Sequence, residues 1–141
     1  MGSLNIGTVA DGALLLLDSP PIIYVLERHR ELAARFLPLF ERQAEGRLSF
    51  AVTTVTVAEV LTGPLQAGNE ALARRYRTVL ESWQVVPLDT VIAESAARLR
   101  ATLRLKLPDA VQLASALAIG ADALVTHDRD FSGVRALPVI S

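Results

Sequence analysis

The sequence predicts an α/β domain of three layers, with helices on both faces of a mainly parallel central sheet of four to five strands. Two observations predict this fold class. Short apolar runs alternate with longer segments of helical periodicity along the 141 residues. The first run, ALLLL at residues 13–17, is continuously apolar, as expected for a strand buried on both faces of a parallel sheet. We expect one domain over residues 13–141, preceded by a flexible tail over residues 1–12.

The other strands are predicted from similar short apolar runs that are flanked by turn-forming residues. RLSFAV is the second, QVVP the third and ALVT the fourth, and PVI is a short fifth. Their predicted ranges are residues 47–52, 84–87, 123–126 and 138–140.

One helix is predicted after the first strand and another directly after the second. Ser19 is a candidate cap for the first of them, which covers residues 22–45 and is interrupted or kinked at Pro38. The threonine cluster TTVT at residues 53–56 supplies capping hydroxyls for the next. The pair Gly63-Pro64 is expected to stop that helix.

Three further helices follow from capping residues and breakers. Asn69 opens one that runs through Leu80, and a helix capped at residue 89 or 90 runs to about residue 103. Pro108 begins the last, DAVQLASALAIGA, and Gly120 lies near its end.

Composition excludes several classes of site. The chain has no cysteine, which removes disulfides, thiol catalysis and cysteine-ligated metal, and it has two histidines. Its net charge of -1 does not indicate a strongly basic nucleic-acid-binding domain. The leucine run is far shorter than the roughly 20 residues that span a bilayer. We therefore expect a soluble cytoplasmic protein.

Acidic residues fall where the predicted strands end. Asp18 follows the first strand, and Asp128 and Asp130 follow the fourth. Asp109 lies in the first turn of a helix, and Glu59 lies one turn into the helix that follows the second strand. Ligands of open parallel sheets bind beyond the carboxyl ends of the strands, so these acids can converge there. Each also has an ordinary structural explanation, as a turn or capping residue, a partner of the helix dipole or a solvated side chain.

Convergence would narrow the chemistry. Carboxylates a few ångströms apart do not all stay ionised unless a cation joins them. Without cysteine or paired histidines the ligands are oxygen atoms, which suits Mg²⁺ or Mn²⁺. Such a site activates water and stabilises displacement at phosphorus, so the residues predict a metal-dependent phosphodiesterase or nuclease.

Four segments resemble, in order and spacing, the acidic motifs of PIN-domain ribonucleases, most closely the VapC-like toxins of toxin–antitoxin pairs. They are LLLLDSPPII, TVAEVLTGPL, LPDAVQLASAL and LVTHDRDF. The resemblance implies a homodimeric endoribonuclease that depends on Mg²⁺ or Mn²⁺, acts on RNA and is inhibited by a small antitoxin protein.

The resemblance also implies roles for individual residues. Asp18, Glu59, Asp109 and Asp128 would form the catalytic acidic quartet. Asp18 and Asp109 would be the firmest metal ligands, with Asp128 assisting. Glu59 would bind or orient the attacking water or act as general base. Supporting roles fall to Ser19, Thr126 and Asp130.

One position departs from the family pattern. Pro20 stands where a second small polar side chain is expected after Asp18. The loss of that polar group could weaken the hydrogen bonds that orient the Asp18 carboxylate, which leaves open a catalytically weakened PIN-fold binding module. A second alternative is a PIN-fold RNA-processing nuclease outside toxin–antitoxin systems.

Basic residues near the last acidic motifs are candidates for phosphate contacts, since arginine donates two parallel hydrogen bonds to phosphate. A solvated helix face is the competing explanation for them. The candidate RNA-binding residues are Arg98, Arg100, Arg104 and Lys106.

Overall fold

The computed structural model describes residues 6–131 and 133–141. These residues contain one sheet of five parallel strands. The order of the strands in the sheet is β3-β2-β1-β4-β5. The strands are β1 (Leu14–Leu17), β2 (Ser49–Thr53), β3 (Gln84–Val86), β4 (Ala123–Val125) and β5 (Val139–Ile140). The predicted parallel sheet of four to five strands is confirmed.

Six α-helices connect the strands within the described residues. They are α1 (Ser19–Leu26), α2 (Leu32–Ala44), α3 (Thr54–Gln66), α4 (Glu70–Glu81), α5 (Thr90–Leu103) and α6 (Leu107–Ala118). A single turn of 3₁₀ helix at Ile6–Thr8 precedes β1, and another at Arg129–Phe131 follows β4. None of the helices in these residues is long and apolar enough to cross a bilayer.

The sheet separates two apolar cores, which makes the domain three-layered. In β1, Leu15 and Leu17 contact the core beneath α1 to α4, whereas Leu16 contacts the core beneath α5 and α6. The same alternation places Phe50 and Ala51 of β2 on opposite faces. Burial on both faces explains why β1 is continuously apolar in sequence.

The strand order reverses beside β1. From the central β1 the chain moves outward through β2 and β3, then crosses back to β4 on the other side of β1. Open α/β sheets bind ligands at the carboxyl ends of strands where the order reverses in this way. The ends of β1 and β4 are held together there, since the backbone N–H of Asp18 donates to the carbonyl of Val125 at 2.8 Å.

The prediction of one helix over residues 22–45 is wrong. The chain forms two helices, and the break lies before α2 rather than at Pro38, which α2 contains. Arg28 adopts a left-handed conformation (φ 55°), and the N–H groups of Arg28 and His29 donate to the carbonyls of Val25 and Tyr24. This hydrogen-bonded αL ending stops α1 without the glycine that usually marks it.

Two predicted helix ends also differ from the structure. The cap of α1 is Asp18, whose side chain accepts the N–H of Ser19, so Ser19 is the first helical residue and not the cap. Helix α3 continues through Pro64 to Gln66. Two residues after this end the chain turns at Gly68, where φ is +71°, a conformation that glycine adopts readily because it has no Cβ.

Other predicted caps are confirmed. The side chains of Thr53, Asn69 and Asp89 each accept a backbone N–H three residues later, at the starts of α3, α4 and α5. Ahead of β1, the Arg42 guanidinium donates to the carbonyl of Val9 at 2.7 Å. Residues 1–5 of the predicted tail lie outside the described residues.

Candidate active site

Asp18 begins the candidate site at the carboxyl end of β1, where it is buried. Its Oδ1 accepts the backbone N–H of Ser19 at 2.9 Å and Nε2 of Gln112 at 3.0 Å. Its Oδ2 accepts the hydroxyl of Thr126, which follows β4, at 2.9 Å. Donors from three separate elements therefore fix the orientation of this carboxylate.

Burial raises the pKa of Asp18, because a charged carboxylate is desolvated there. The hydrogen bonds from Thr126, Ser19 and Gln112 lower this pKa, and the nearby charge of Glu59 raises it. The three donors thus oppose the desolvation that would otherwise favour the neutral acid.

Asp109, Asp128 and Asp130 form a cluster in which one carboxylate oxygen of each residue lies within 4.8 Å of the others. Asp109 comes from the first turn of α6, and the other two follow β4. Thr126 ties this cluster to Asp18, since its hydroxyl also accepts the N–H of Asp128 at 3.0 Å. The N–H of Asp130 donates to Oδ1 of Asp128 at 2.8 Å.

The electrostatics of the cluster favour a bound cation. Burial and the neighbouring carboxylates of Asp128, Asp18 and Asp130 together raise the pKa of Asp109 to about 7, with burial the largest cause. Oδ2 of Asp109 is buried and has no hydrogen-bond partner among the residues that the structure describes. A hard divalent ion with oxygen ligands would supply that partner and relieve the repulsion, so the residues fit Mg²⁺ or Mn²⁺.

Glu59 joins the site through Ser19. It lies on α3, one turn after the start, with an exposed side chain, and its Oε1 accepts the hydroxyl of Ser19. The structure therefore brings the four predicted acids and Asp130 to one edge of the sheet. Asp18 is not part of the three-carboxylate cluster, although its charge acts on Asp109.

The comparisons with known proteins agree with this architecture. A family model described as the PIN domain matches residues 15–137, most of the chain. The chain belongs to the PIN-domain family. The predicted resemblance is confirmed at this level.

Solved structures similar to this PIN domain come from toxin–antitoxin systems. A chain of a toxin–antitoxin complex from Klebsiella pneumoniae is 26% identical, with a TM-score of 0.71 over 90% of this chain and 96% of that one. Two others show the shared fold: VapBC2 from Rickettsia felis bound to a promoter DNA fragment (16% identity, TM-score 0.69, coverage 89% and 96%), and VapC20 from Mycobacterium tuberculosis, a toxin that cleaves the sarcin–ricin loop (15%, 0.69, 90% and 99%). No curated protein sequence matches the chain significantly.

Of the four basic residues predicted to contact RNA, Lys106 lies at the acidic cluster of the PIN domain. Its Nζ is 3.2 Å from Oδ2 of Asp130, and this contact raises the pKa of Lys106. Arg98 pairs instead with Glu94 on its own helix, and Arg100 donates to the carbonyl of Leu105. The fourth, Arg104, ends α5 in a left-handed conformation.

Two site residues were missed from the sequence. Gln112 donates to both Asp18 and Thr56, and all three side chains are buried. The signal for Gln112 was a lone amide in the apolar run AVQLASALA, one turn after Asp109 on the same helix face. Thr56 was read as part of a capping cluster, and its spacing alone does not indicate contact with α6.

His127 contacts aromatic residues of α1 and α2, although it directly precedes Asp128. Its Nδ1 lies 3.0 Å from the hydroxyl of Tyr24, and its ring packs edge-on against the rings of Tyr24 and Phe36. These contacts join β4 to α1 and α2, which is a structural role.

Proposed function

We propose that this PIN domain is an endoribonuclease that depends on Mg²⁺ or Mn²⁺ and serves as the toxin of a toxin–antitoxin pair. The observation that carries the proposal is the convergence of Asp109, Asp128 and Asp130 beside Asp18, with the pKa of Asp109 raised to about 7. A structural ion pair would not leave a buried carboxylate oxygen without a partner, whereas a cation site needs a carboxylate oxygen that is free to bind the ion.

The proposed ligands are Asp109, Asp128 and Asp18, with Asp130 completing the cluster. When bound, a divalent ion would neutralise these carboxylates, lower the pKa of a water molecule and stabilise negative charge at phosphorus. The hydrogen bonds to Asp18 hold its carboxylate in one orientation, so the carboxylate does not have to reorient during the reaction.

Glu59 is the proposed general base. Its carboxylate is exposed, and the Ser19 hydroxyl holds it beside Asp18. It would accept a proton from the attacking water as the water oxygen bonds to phosphorus and the ester P–O bond breaks, while solvent protonates the leaving oxygen. Lys106 would contact a phosphate of the RNA, since its flexible side chain lies at the mouth of the cluster.

The position of Pro20 is compatible with activity. It lies in the first turn of α1, where the N–H that proline lacks has no helical partner. The three donors to Asp18 come from Ser19, Gln112 and Thr126, so the missing polar side chain at residue 20 leaves that carboxylate oriented. This supports the nuclease over a binding module that has lost catalysis.

Cleavage of a defined pool of transfer and ribosomal RNA tests the proposal. The purified chain is incubated with Mg²⁺, Mn²⁺ or EDTA beside Asp109→Asn and Glu94→Gln, the latter an exposed acid on α5 outside the site. We expect discrete cuts by the wild type and Glu94→Gln, lost in EDTA and in Asp109→Asn. Binding of RNA without cleavage would favour the binding module instead.

The toxin role is proposed from the Klebsiella pneumoniae toxin–antitoxin chain that this domain resembles, together with the sequence motifs. We propose a small antitoxin protein and a second copy of this chain as its partners. Expression in a bacterial host should arrest growth, Asp109→Asn should not, and the product of a neighbouring gene should restore growth. Normal growth with an active nuclease would favour an RNA-processing role.

A further inference from the structure

Gln112 is a buried amide in an apolar helix. It lies on α6 with no exposed surface, one turn after Asp109 on the same face of the helix, and its chain neighbours Val111 and Leu113 are buried too. Burying a carboxamide costs free energy unless its polar atoms find partners. Its hydrogen bonds must therefore account for its presence.

Both hydrogens of the Gln112 amide are used. Nε2 donates to Oδ1 of Asp18 at 3.0 Å and to Oγ1 of Thr56 at 2.5 Å. The reversed carboxamide would face Asp18 with Oε1, so that two acceptors would meet. The carboxylate therefore determines which way the amide points.

The carboxamide oxygen adds nothing to the hydrogen bonding of the core that the structure describes. Oε1 of Gln112 is buried, and no described residue donates to it. A methionine would fill a similar volume and leave no polar atom unsatisfied. The donor that Gln112 offers to Asp18 is what an apolar side chain could not supply.

We infer that Gln112 is a positioning residue for the divalent ion, acting through Asp18, an inference that rests on the function proposed above. With Ser19 and Thr126, Gln112 occupies three of about four lone-pair sites of the Asp18 carboxylate. One site on Oδ2 stays available for an ion. Through Thr56, the same amide connects Asp18 to α3, the helix that carries Glu59 one turn later.

Calorimetric titration of the full chain with Mn²⁺ alone tests this inference. The variants are Gln112→Met, which removes the donors, and Gln112→Asn, which withdraws the amide by one methylene. Both should bind Mn²⁺ about 10–100-fold more weakly than the wild type, as expected when a group that orients a ligand is lost. Gln112→His, which keeps an N–H donor, should recover most of the affinity.

Leu113→Met is the matched control, because it changes a buried side chain of α6 that belongs to the apolar core beneath α5 and α6. It should keep wild-type Mn²⁺ affinity, and melting in EDTA should show that the variants fold. Unchanged affinity in the folded Met or Asn variant, with binding lost in Asp109→Asn, would overturn the inference and leave the proposed function standing. Absence of Mn²⁺ binding in the wild type would instead overturn the proposed function.

Discussion

Asp109 is the buried carboxylate of the three in the acidic cluster. One of its oxygens has no hydrogen-bond partner in the described part of the chain. Burial and the neighbouring carboxylates together raise its pKa to about 7. At neutral pH the cluster therefore holds a proton or a cation. Protons and metal ions compete for the same oxygens, so pH controls both the stability of the domain and its affinity for metal.

The first residue-scale prediction concerns stability in EDTA. Since the folded pKa of Asp109 is about 7 and its ordinary value is 3.8, its ionisation costs stability, and that loss develops as pH rises from about 4 through about 7. Asp109→Asn should unfold at higher urea concentration than the wild type at pH 8, and its stability should depend less on pH. The raised pKa of Asp18 leaves a residual slope of the same sign.

Glu94→Gln is the control for this measurement, because Glu94 lies on the exposed face of α5 in an ion pair with Arg98. It should show the wild-type dependence on pH. A wild type equally stable at pH 5 and pH 8 in EDTA would contradict the electrostatic account of the cluster.

The second residue-scale prediction concerns Lys106, whose ammonium group contacts Asp130 at the mouth of the cluster. Lys106→Met removes a positive charge from the site, so Mn²⁺ should bind about two- to fivefold more tightly, the range expected of an exposed ion pair. RNA binding in EDTA should weaken, because a phosphate contact is lost.

The control variant is Arg77→Met, which breaks an exposed ion pair with Glu81 on α4 and should change neither affinity. Calorimetry measures the metal and filter binding measures the RNA. An RNA affinity that Lys106→Met leaves unaltered would remove this residue from the RNA interface.

At the scale of elements, α4 supports the fold without contributing an acid to the site. Its cap is Asn69, whose Oδ1 accepts the N–H of Leu72 at 3.0 Å. Asn69→Ala should lower the free energy of unfolding by about 1 kcal/mol, as loss of a capping side chain does. Asn69→Ser should retain most of it, and both should bind Mn²⁺ like the wild type. Weaker metal binding in a folded Asn69→Ala would contradict the separation of α4 from the site.

The same scale shows which elements could be predicted. Apolar runs and caps such as Thr53, Asn69 and Asp89 located strands and helix starts, because these signals are local. The break after α1 depends on Arg28 in a conformation that glycine usually adopts, and α3 continues through Pro64. Both features run against the local preference of the residues involved, so local propensity does not predict them.

For the whole molecule, topology determined how much of the site could be predicted. Parallel strands end at one edge, so the acids after β1 and β4 were placed together from sequence order. The hydrogen bonds of Gln112 to Asp18 and Thr56 cross 94 and 56 residues of sequence. Such contacts depend on how α6 packs against the sheet, which periodicity does not specify.

Charge at this scale also bears on the RNA interface. The net charge is -1, and among the four predicted basic contacts Lys106 is the one that lies at the cluster. Binding of RNA should therefore depend on the metal ion and on few phosphate contacts.

Titration of Mn²⁺ followed by electron paramagnetic resonance tests whether the acidic cluster binds a divalent ion. The wild type is compared with Asp109→Asn and with Asp11→Asn, an exposed acid that pairs with Arg42 before β1. We expect saturable binding by the wild type and Asp11→Asn that strengthens as pH rises through about 7, where Asp109 loses its proton, and loss of binding in Asp109→Asn. Equal binding by all three proteins would show that the acidic cluster is not a metal site and would contradict the account.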